Sequence, residues 1–225
     1  LQRADRIIVS NASMITQSPF LRSFAHKCAV VPFGTDLTYW PKLNAEEEQN
    51  VTSLRKKYPQ LVVATGRLVS YKGFDNLINA FSSIKGQCVI IGEGPLDKQL
   101  QQQITALGLQ DRVHLAGRLE RDALKCMLHA AKIFVLPSVS SAETFGIAQI
   151  EAMACGLPVV NTDIPTGVPW VARHEHEILT VSARQPALLA QAFALLLEKS
   201  ALRQRLGQDW VPRCFELFEP QTFIE

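Results

Sequence analysis

The sequence predicts an α/β fold, a Rossmann-like parallel sheet with flanking helices. Two observations carry this expectation. From Pro41 onward, short β-rich apolar runs alternate with longer segments of helical periodicity, and the runs are mostly apolar, as strands covered on both faces are. The runs are Leu61-Val-Val-Ala-Thr65, Cys88-Val-Ile-Ile91, Val113-His-Leu115, Ile133-Phe-Val-Leu136 and Pro158-Val-Val-Asn161, giving a sheet of five strands. Between them, Leu77, Ile78 and Phe81 mark a helix over 74–84, and Leu100, Ile104 and Leu107 mark one over 96–107. Two more are expected at 121–131 and 146–154, the latter stopped by Gly156 and Pro158. A late helical stretch covers 186–198 and then 202–218 without any strand pattern. The Gln99 to Gln103 region and the run Arg55-Lys56-Lys57 read as solvated helix faces.

Residues 1–40 behave differently. They offer a strand at 6–10, a helix around 18–24, a strand at 29–31 and then Pro32-Phe-Gly-Thr-Asp36, with a hinge expected near Gly34. The first residue is Leu1 rather than Met, and residues 1–10 already look like a helix end running into a strand, so a piece of a longer polypeptide is expected. Two units follow from this reading, 1–40 and 41–225.

Composition sets the outer bounds. The 225 residues suggest one full domain plus extra, and 47% hydrophobic with 20% charged residues is the balance of an ordinary globular protein. Lys plus Arg (23) against Asp plus Glu (21) leaves a net charge of +2, which gives no argument for a nucleic-acid partner. Cys28, Cys88, Cys126, Cys155 and Cys214 are widely spaced without a CxxC pair, so neither a disulfide framework nor a zinc site is indicated. With no apolar run near the roughly 18 to 20 residues of a membrane span and no signal peptide, a cytoplasmic location is expected. His174 and His176 lack a third ligand at recognisable spacing and read as part of a solvated turn rather than a metal site. Trp40, Trp170 and Trp210 read as packing or hinge residues.

In an open parallel sheet, ligands bind outside the carboxyl ends of the strands, so the loops after the strands are the places to look. The first, Gly66-Arg67-Leu-Val-Ser-Tyr-Lys72-Gly73, carries two cations and ends at a helix start. Arg67 offers a forked donor and Lys72 a mobile point charge, each worth roughly 4 kcal/mol of gross Coulomb energy at about 4 Å and an effective dielectric near 20. Taken alone, the loop reads more readily as an exposed turn with two unrelated charges. Gly92-Glu93-Gly94-Pro95 lets the backbone approach a ligand, or is a plain tight turn. Ala116-Gly117-Arg118-Leu119 presents backbone that can read the edge of a flat base.

The fourth loop carries the strongest signal, because Glu143 and Glu151 flank Thr144-Phe145-Gly146-Ile147 at the expected start of a helix. Eight positions apart, they are separated by up to about 12 Å along the axis and meet different parts of one ligand. The helix start offers free N–H groups and a positive dipole end to phosphate, and Gly146 clears the approach. Glu143 also reads as a simple cap. Glu151 lies among small apolar residues (Ile147, Ala148, Ile150, Ala152, Met153, Ala154), where an unpaired charge is costly, and this favours a functional reading.

At these residues the sequence resembles the retaining glycosyltransferases of the GT-B fold, family 4 type (glycosyl transferases group 1). Gly66-Arg67 with Lys72-Gly73, Gly92-Glu-Gly-Pro95, Gly117-Arg-Leu119, and Glu143-x7-Glu151 followed by Gly156-Leu-Pro-Val-Val160 occur in that family's order and spacing over nearly the whole chain. The resemblance implies the C-terminal half of a GT-B fold at 41–225, preceded at 1–40 by the tail of an acceptor-binding N-terminal domain. It implies a hexose transfer from a nucleoside-diphosphate sugar to a glycan or lipid-linked acceptor. In that transfer Arg67, Lys72 and Glu143 act catalytically: the two cations grip the diphosphate and Glu143 orients the sugar. Gly66, Gly92 and Glu93 line the donor cleft, the Arg118–Leu119 backbone meets the base, the backbone of Thr144, Phe145, Gly146 and Ile147 holds the distal phosphate and sugar, and Glu151 takes the ribose hydroxyls. No cofactor and no metal are expected. The full-length relative would transfer with retention, and peripheral contact with a membrane's cytoplasmic face fits lipid-linked acceptors. Competing readings are a sugar-nucleotide epimerase, against which the paired Glu143 and Glu151 argue, a noncatalytic nucleotide-sugar-binding subunit, and a membrane-surface module for which Arg203 and Arg205 are slender grounds.

Overall fold

The computed structural model describes residues 1–171, 178–208 and 217–218. His174, His176, Trp210 and Cys214 lie outside the described residues. Two parallel sheets organise the chain. The smaller pairs β1 (Ile7–Val9) with β2 (Cys28–Val30), linked through two short helices, α1 (Ala12–Gln17) and α2 (Pro19–Arg22), and a 3-10 turn at Ala25–Lys27. The sequence reading placed one helix at 18–24. Instead Asn11 caps α1 by accepting from the Met14 amide, and Ser18 then ends α1 and caps α2, so Pro19 occupies a first helical turn rather than breaking an interior.

The larger sheet holds β3 (Leu61–Thr65), β4 (Gln87–Ile91), β5 (Val113–Leu115), β6 (Ile133–Leu136), β7 (Val159–Asp163) and β8 (Ile178–Ser182), in the spatial order β5-β4-β3-β6-β7-β8 and parallel throughout. It has six strands, not the five read from sequence. The sixth, β8, pairs only with β7, and four of its five residues are only partly buried or exposed, so its run lacks the continuous apolar character that marks its neighbours.

Residues of β3 alternate between two cores. Leu61 and Val63 face one with Phe134, Leu136, Ile150 and Met153, while Val62 and Ala64 face the other with Leu77, Ile78, Phe81 and Phe193. The first core is covered by α3 (Ala45–Lys57), α6 (Arg121–Ala130) and α7 (Ile147–Ala154), the second by α4 (Phe74–Ala80), α5 (Asp97–Ala106) and α8 (Pro186–Glu198), with α9 (Ser200–Gln208) following. Helix α3 has few apolar residues to reveal it in sequence, and its ends define it instead. Asn44 and Glu47 exchange hydrogen bonds as a capping box at 2.9 and 2.7 Å, and Arg55, Lys56 and Lys57 occupy the last turn, where cations offset the helix dipole. Trp40 is buried and Trp170 packs on Phe145, in keeping with packing roles. Among the described residues, no helix is long and apolar enough to cross a membrane.

Candidate functional site

Strands β3 and β6 are neighbours, and from them the sheet is wound outward in both directions, so the crevice for a ligand opens at their carboxyl ends. The loops following β3 and β6 carry Arg67, Lys72 and Glu143, and the helix after the second, α7, carries Glu151. The loops after β4 and β5 close one side. Gly66 N–H donates to Ile91 O at 2.9 Å, Leu68 N–H to Glu93 O at 2.9 Å and Gly92 N–H to Gly117 O at 2.8 Å, so these loops form one bonded rim. Gly92, at φ +144°, is required there, because a Cβ would run into the Gly66 carbonyl. Glu93 and Arg118 are exposed on this rim and Leu119 is half-buried.

Lys72 ends a 3-10 turn, and its side chain lies over Gly66, where any side chain would crowd its Cε and Nζ. Its ammonium meets Glu143 Oε2 at 2.5 Å, and Ser138 Oγ donates to the same oxygen at 2.9 Å. The side chains of the pair are only 12% and 10% exposed. Arg67 stands nearby on the same loop, exposed, its carbonyl accepting from Val69 N–H at 2.8 Å and its guanidinium making no hydrogen bond or ion pair among the described residues. An exposed cation, a nearly buried cation and a carboxylate held by Lys72 and Ser138 thus converge on the switch point.

Helix α7 begins immediately after Gly146, which adopts left-handed φ and ψ of 76° and 60° where a Cβ would strike Leu136. Behind the loop, the carbonyls turn inward: Thr144 O accepts from Gly167 N–H at 2.9 Å and Phe145 O from Gln149 Nε2 at 2.9 Å. Phe145 is buried against Phe33, Trp170 and Phe218. Thr144 and Ile147 are exposed at the start of the helix, whose first N–H groups have no intrahelical acceptor.

Several residues in this arrangement were not singled out from sequence. Gln149 and Asn161 are fully buried; Asn161 Nδ2 donates to Gln149 Oε1 at 2.9 Å, and Thr180 Oγ1 donates to Asn161 Oδ1 at 2.8 Å. Thr162 Oγ1 donates to the Ser138 carbonyl. Polar residues inside the apolar patterns of α7 and β7 were the available signal, since buried polar groups are there to bond something. Arg121 was also missed: it stacks 3.9 Å over the Tyr39 ring and pairs with Asp36 at 3.5 Å.

Glu151 sits one turn inside α7, and burial pushes its carboxyl up to about 7, opposed by the charge of Arg121. Between its ordinary value of 4.5 and about 7 the folded chain holds a proton that the unfolded chain has lost. Glu151 therefore lowers stability as pH rises through that window, by on the order of 3 kcal/mol. Glu151→Gln should flatten that part of the profile, as denaturant midpoints at pH 5 and pH 8 will show; an unchanged difference would contradict the burial of this group.

Residues 45–209 match the family model described as Glycosyl transferases group 1. The chain belongs to that family. Among relatives of this glycosyltransferase group, the D-rhamnosyltransferase WbpZ of Pseudomonas aeruginosa is 31% identical over 97% of this chain and 56% of its own length. A GDP-mannose-dependent alpha-(1-6)-phosphatidylinositol monomannoside mannosyltransferase of Mycobacterium tuberculosis is 30% identical over 91% of this chain and 57% of its own. The sucrose-phosphate synthase of Thermosynechococcus elongatus superposes with a TM-score of 0.85 at 26% identity, covering 98% of this chain and 56% of that one. Anabaena HepE, solved in complex with UDP-glucose, superposes at 0.83 with 23% identity over 96% of this chain and 60% of that one, a likeness of fold. The chain spans about half the length of the curated relatives it matches. The fold is thus that of a GT-B glycosyltransferase domain.

Proposed function

We propose that the chain carries the nucleotide-sugar site of a retaining glycosyltransferase of family 4 type, which passes a hexose from a nucleoside diphosphate to a glycan or lipid-linked acceptor. One observation carries the reading: Arg67, Lys72, Glu143 and the opening turn of α7 converge on the sheet's switch point, with Glu151 one turn along the helix. Two cations and a helix N-terminus suit a diphosphate, and carboxylates on either side suit the hydroxyls of a hexose and a ribose. The rhamnosyltransferase and mannosyltransferase relatives, and the UDP-glucose complex of HepE, support the substrate class.

In this reading the glycosidic bond weakens first and the departing diphosphate, stabilised by Arg67, Lys72 and the α7 terminus, helps take the acceptor's proton on the same face. Glu143 orients the hexose, the backbone of 144–147 holds the distal phosphate and sugar, and no metal or cofactor is called for. Gly66, Gly92 and Glu93 line the donor cleft, and Arg118 and Leu119 present their backbone to the base. Residues 1–40 form the tail and hinge of an acceptor domain, and 41–225 the donor domain. The separate two-stranded sheet supports that division, as does the 72% and 78% exposure of Ile8 and Phe20, surface that further chain would cover. The full-length enzyme would work in the cytoplasm, against the membrane where its acceptor is lipid-linked, and the 225 residues alone would bind donor and transfer little.

A thermal-shift screen with UDP, GDP, ADP and their hexose conjugates tests this site. Selective stabilisation by one base is expected, approaching 2.7 kcal/mol at about a hundredfold excess over Kd, and lost in Lys72→Ala and Glu151→Ala. No response at millimolar nucleotide, in this chain and in the full-length polypeptide, would overturn the reading.

A further inference from the structure

A second polar cavity, of about 540 Å³, lies at the opposite end of the sheet from the donor loops. It is bounded by the last turn of α3 (Arg55), the last turn of α6 (His129), the segment joining α6 to β6 (Lys132) and the start of α9 (Ser200, Arg203 and Gln204). Strand β6 separates Lys132 from the loop at Pro137, a path of roughly 16 Å at about 3.3 Å per residue. Its size is that of a small-molecule site, and no Asp or Glu lines it among the described residues.

Two of the three cations are anchored. Arg55 donates to His129 O at 2.9 Å, and Arg203 donates to Leu196 O and Leu197 O at 2.6 and 3.2 Å, so each guanidinium is fixed on the carboxyl end of a helix while retaining further N–H donors. Offsetting helix dipoles explains these two. It does not explain Lys132, whose ammonium makes no hydrogen bond or ion pair among the described residues. Burial, and then the charges of Arg203 and Arg55, hold the Lys132 amine below its ordinary range, and all three cations line the one cavity. Burial lowers the affinity of His129 for a proton, and its Nε2 faces the Trp40 carbonyl at 2.8 Å.

We propose that this cavity is an anion site that binds a phosphate group, either on a soluble phosphate ester or on a phospholipid headgroup. Guanidinium forks held in place by helix carbonyls and an uncommitted ammonium match the several oxygens of a phosphate, and Ser200 and Gln204 add neutral donors. Bound phosphate would offset the positive charges of a lining that holds no Asp or Glu among the described residues.

The inference is independent of the donor site and is tested apart from it. The full chain is titrated with inorganic pyrophosphate while amide resonances are followed by NMR. Saturable shifts are expected at Lys132, Ser200 and Gln204, persisting in the Lys72→Met/Glu143→Gln double variant, in which donor-site binding is removed. Lys132→Met, which removes no hydrogen bond, should weaken them roughly tenfold or more while leaving the response at Gly146 and Ile147 unchanged. Sedimentation with phosphatidylcholine vesicles with and without phosphatidic acid then separates the sources: Lys132-dependent capture by acidic vesicles identifies the lipid headgroup, and pyrophosphate binding without capture identifies the soluble ester. Absence of saturable shifts at the cavity with millimolar pyrophosphate, or shifts indifferent to Lys132→Met, overturns the proposal.

Discussion

Lys72→Ala in the complete enzyme is expected to lower kcat/KM by on the order of a hundred- to a thousandfold, as loss of a preorganised charge partner for a transition-state anion does elsewhere. The geometry adds a second effect that must be separated from the first. Lys72 and Glu143 are an almost buried pair at 2.5 Å, so the alanine variant leaves a carboxylate held by Ser138 alone and in little contact with water. Breaking such a pair from one side destabilises a protein by about 3 kcal/mol or more. The double variant Lys72→Met/Glu143→Gln removes both charges with little change of shape. It should recover most of the lost melting temperature and none of the activity. Glu143→Ala should match Lys72→Ala in turnover, since it removes the group proposed to orient the hexose. Near-normal turnover in either single variant would overturn the roles given to this pair; recovery of activity in the double variant would show that only folding had been measured.

Why that pair was legible in sequence, and its supports were not, follows from the kind of information each contains. The sheet announced itself because β3, β4, β6 and most of β7 are buried on both faces, which forces a continuous apolar run. Strand β8 has one neighbour and a half-covered face, so nothing in Ile178-Leu-Thr-Val-Ser182 demanded the same reading. Helix α3 is built from its capping box and end charges rather than an apolar stripe, and periodicity passes over it. At the site, charges on loops between strand and helix stood out at once, and the resemblance supplied roles for Arg67, Lys72, Glu143 and Glu151. Local sequence says nothing about which carbonyl a buried amide will meet across the fold. Gln149, Asn161 and Ser138 therefore stayed invisible although they hold the donor loop in place. Arg121 was hidden for the same reason, its partners Asp36 and Tyr39 lying more than eighty positions away.

Gln149→Leu is the substitution that measures those supports. The wild-type amide donates to Phe145 O at 2.9 Å and to Val168 O at 3.2 Å and accepts from Asn161, all without access to water. Leucine fills similar space but removes all three bonds. Val168 O keeps its bond from Asn161 at 3.2 Å, whereas Phe145 O loses its side-chain donor and Asn161 loses an acceptor. With about 1 to 3 kcal/mol for each buried group left unsatisfied, a loss near 3 kcal/mol is expected from the shift of a urea unfolding midpoint. The functional consequence is distinct: the Phe145 carbonyl faces inward because Gln149 holds it, and its release frees the 144–147 backbone whose N–H groups are proposed to meet phosphate. Nucleotide affinity should therefore fall about tenfold under conditions where the variant is fully folded, with Asn161→Leu producing a smaller change because it leaves the bond from Gln149 to Phe145 intact. A double-mutant cycle between the two positions should show coupling of about 0.5 kcal/mol or more, since each residue's bond to the other is lost in either single variant. Unchanged stability and unchanged nucleotide affinity in Gln149→Leu would mean that packing alone sets the course of the loop, and that the buried amides beneath it are incidental to the site above.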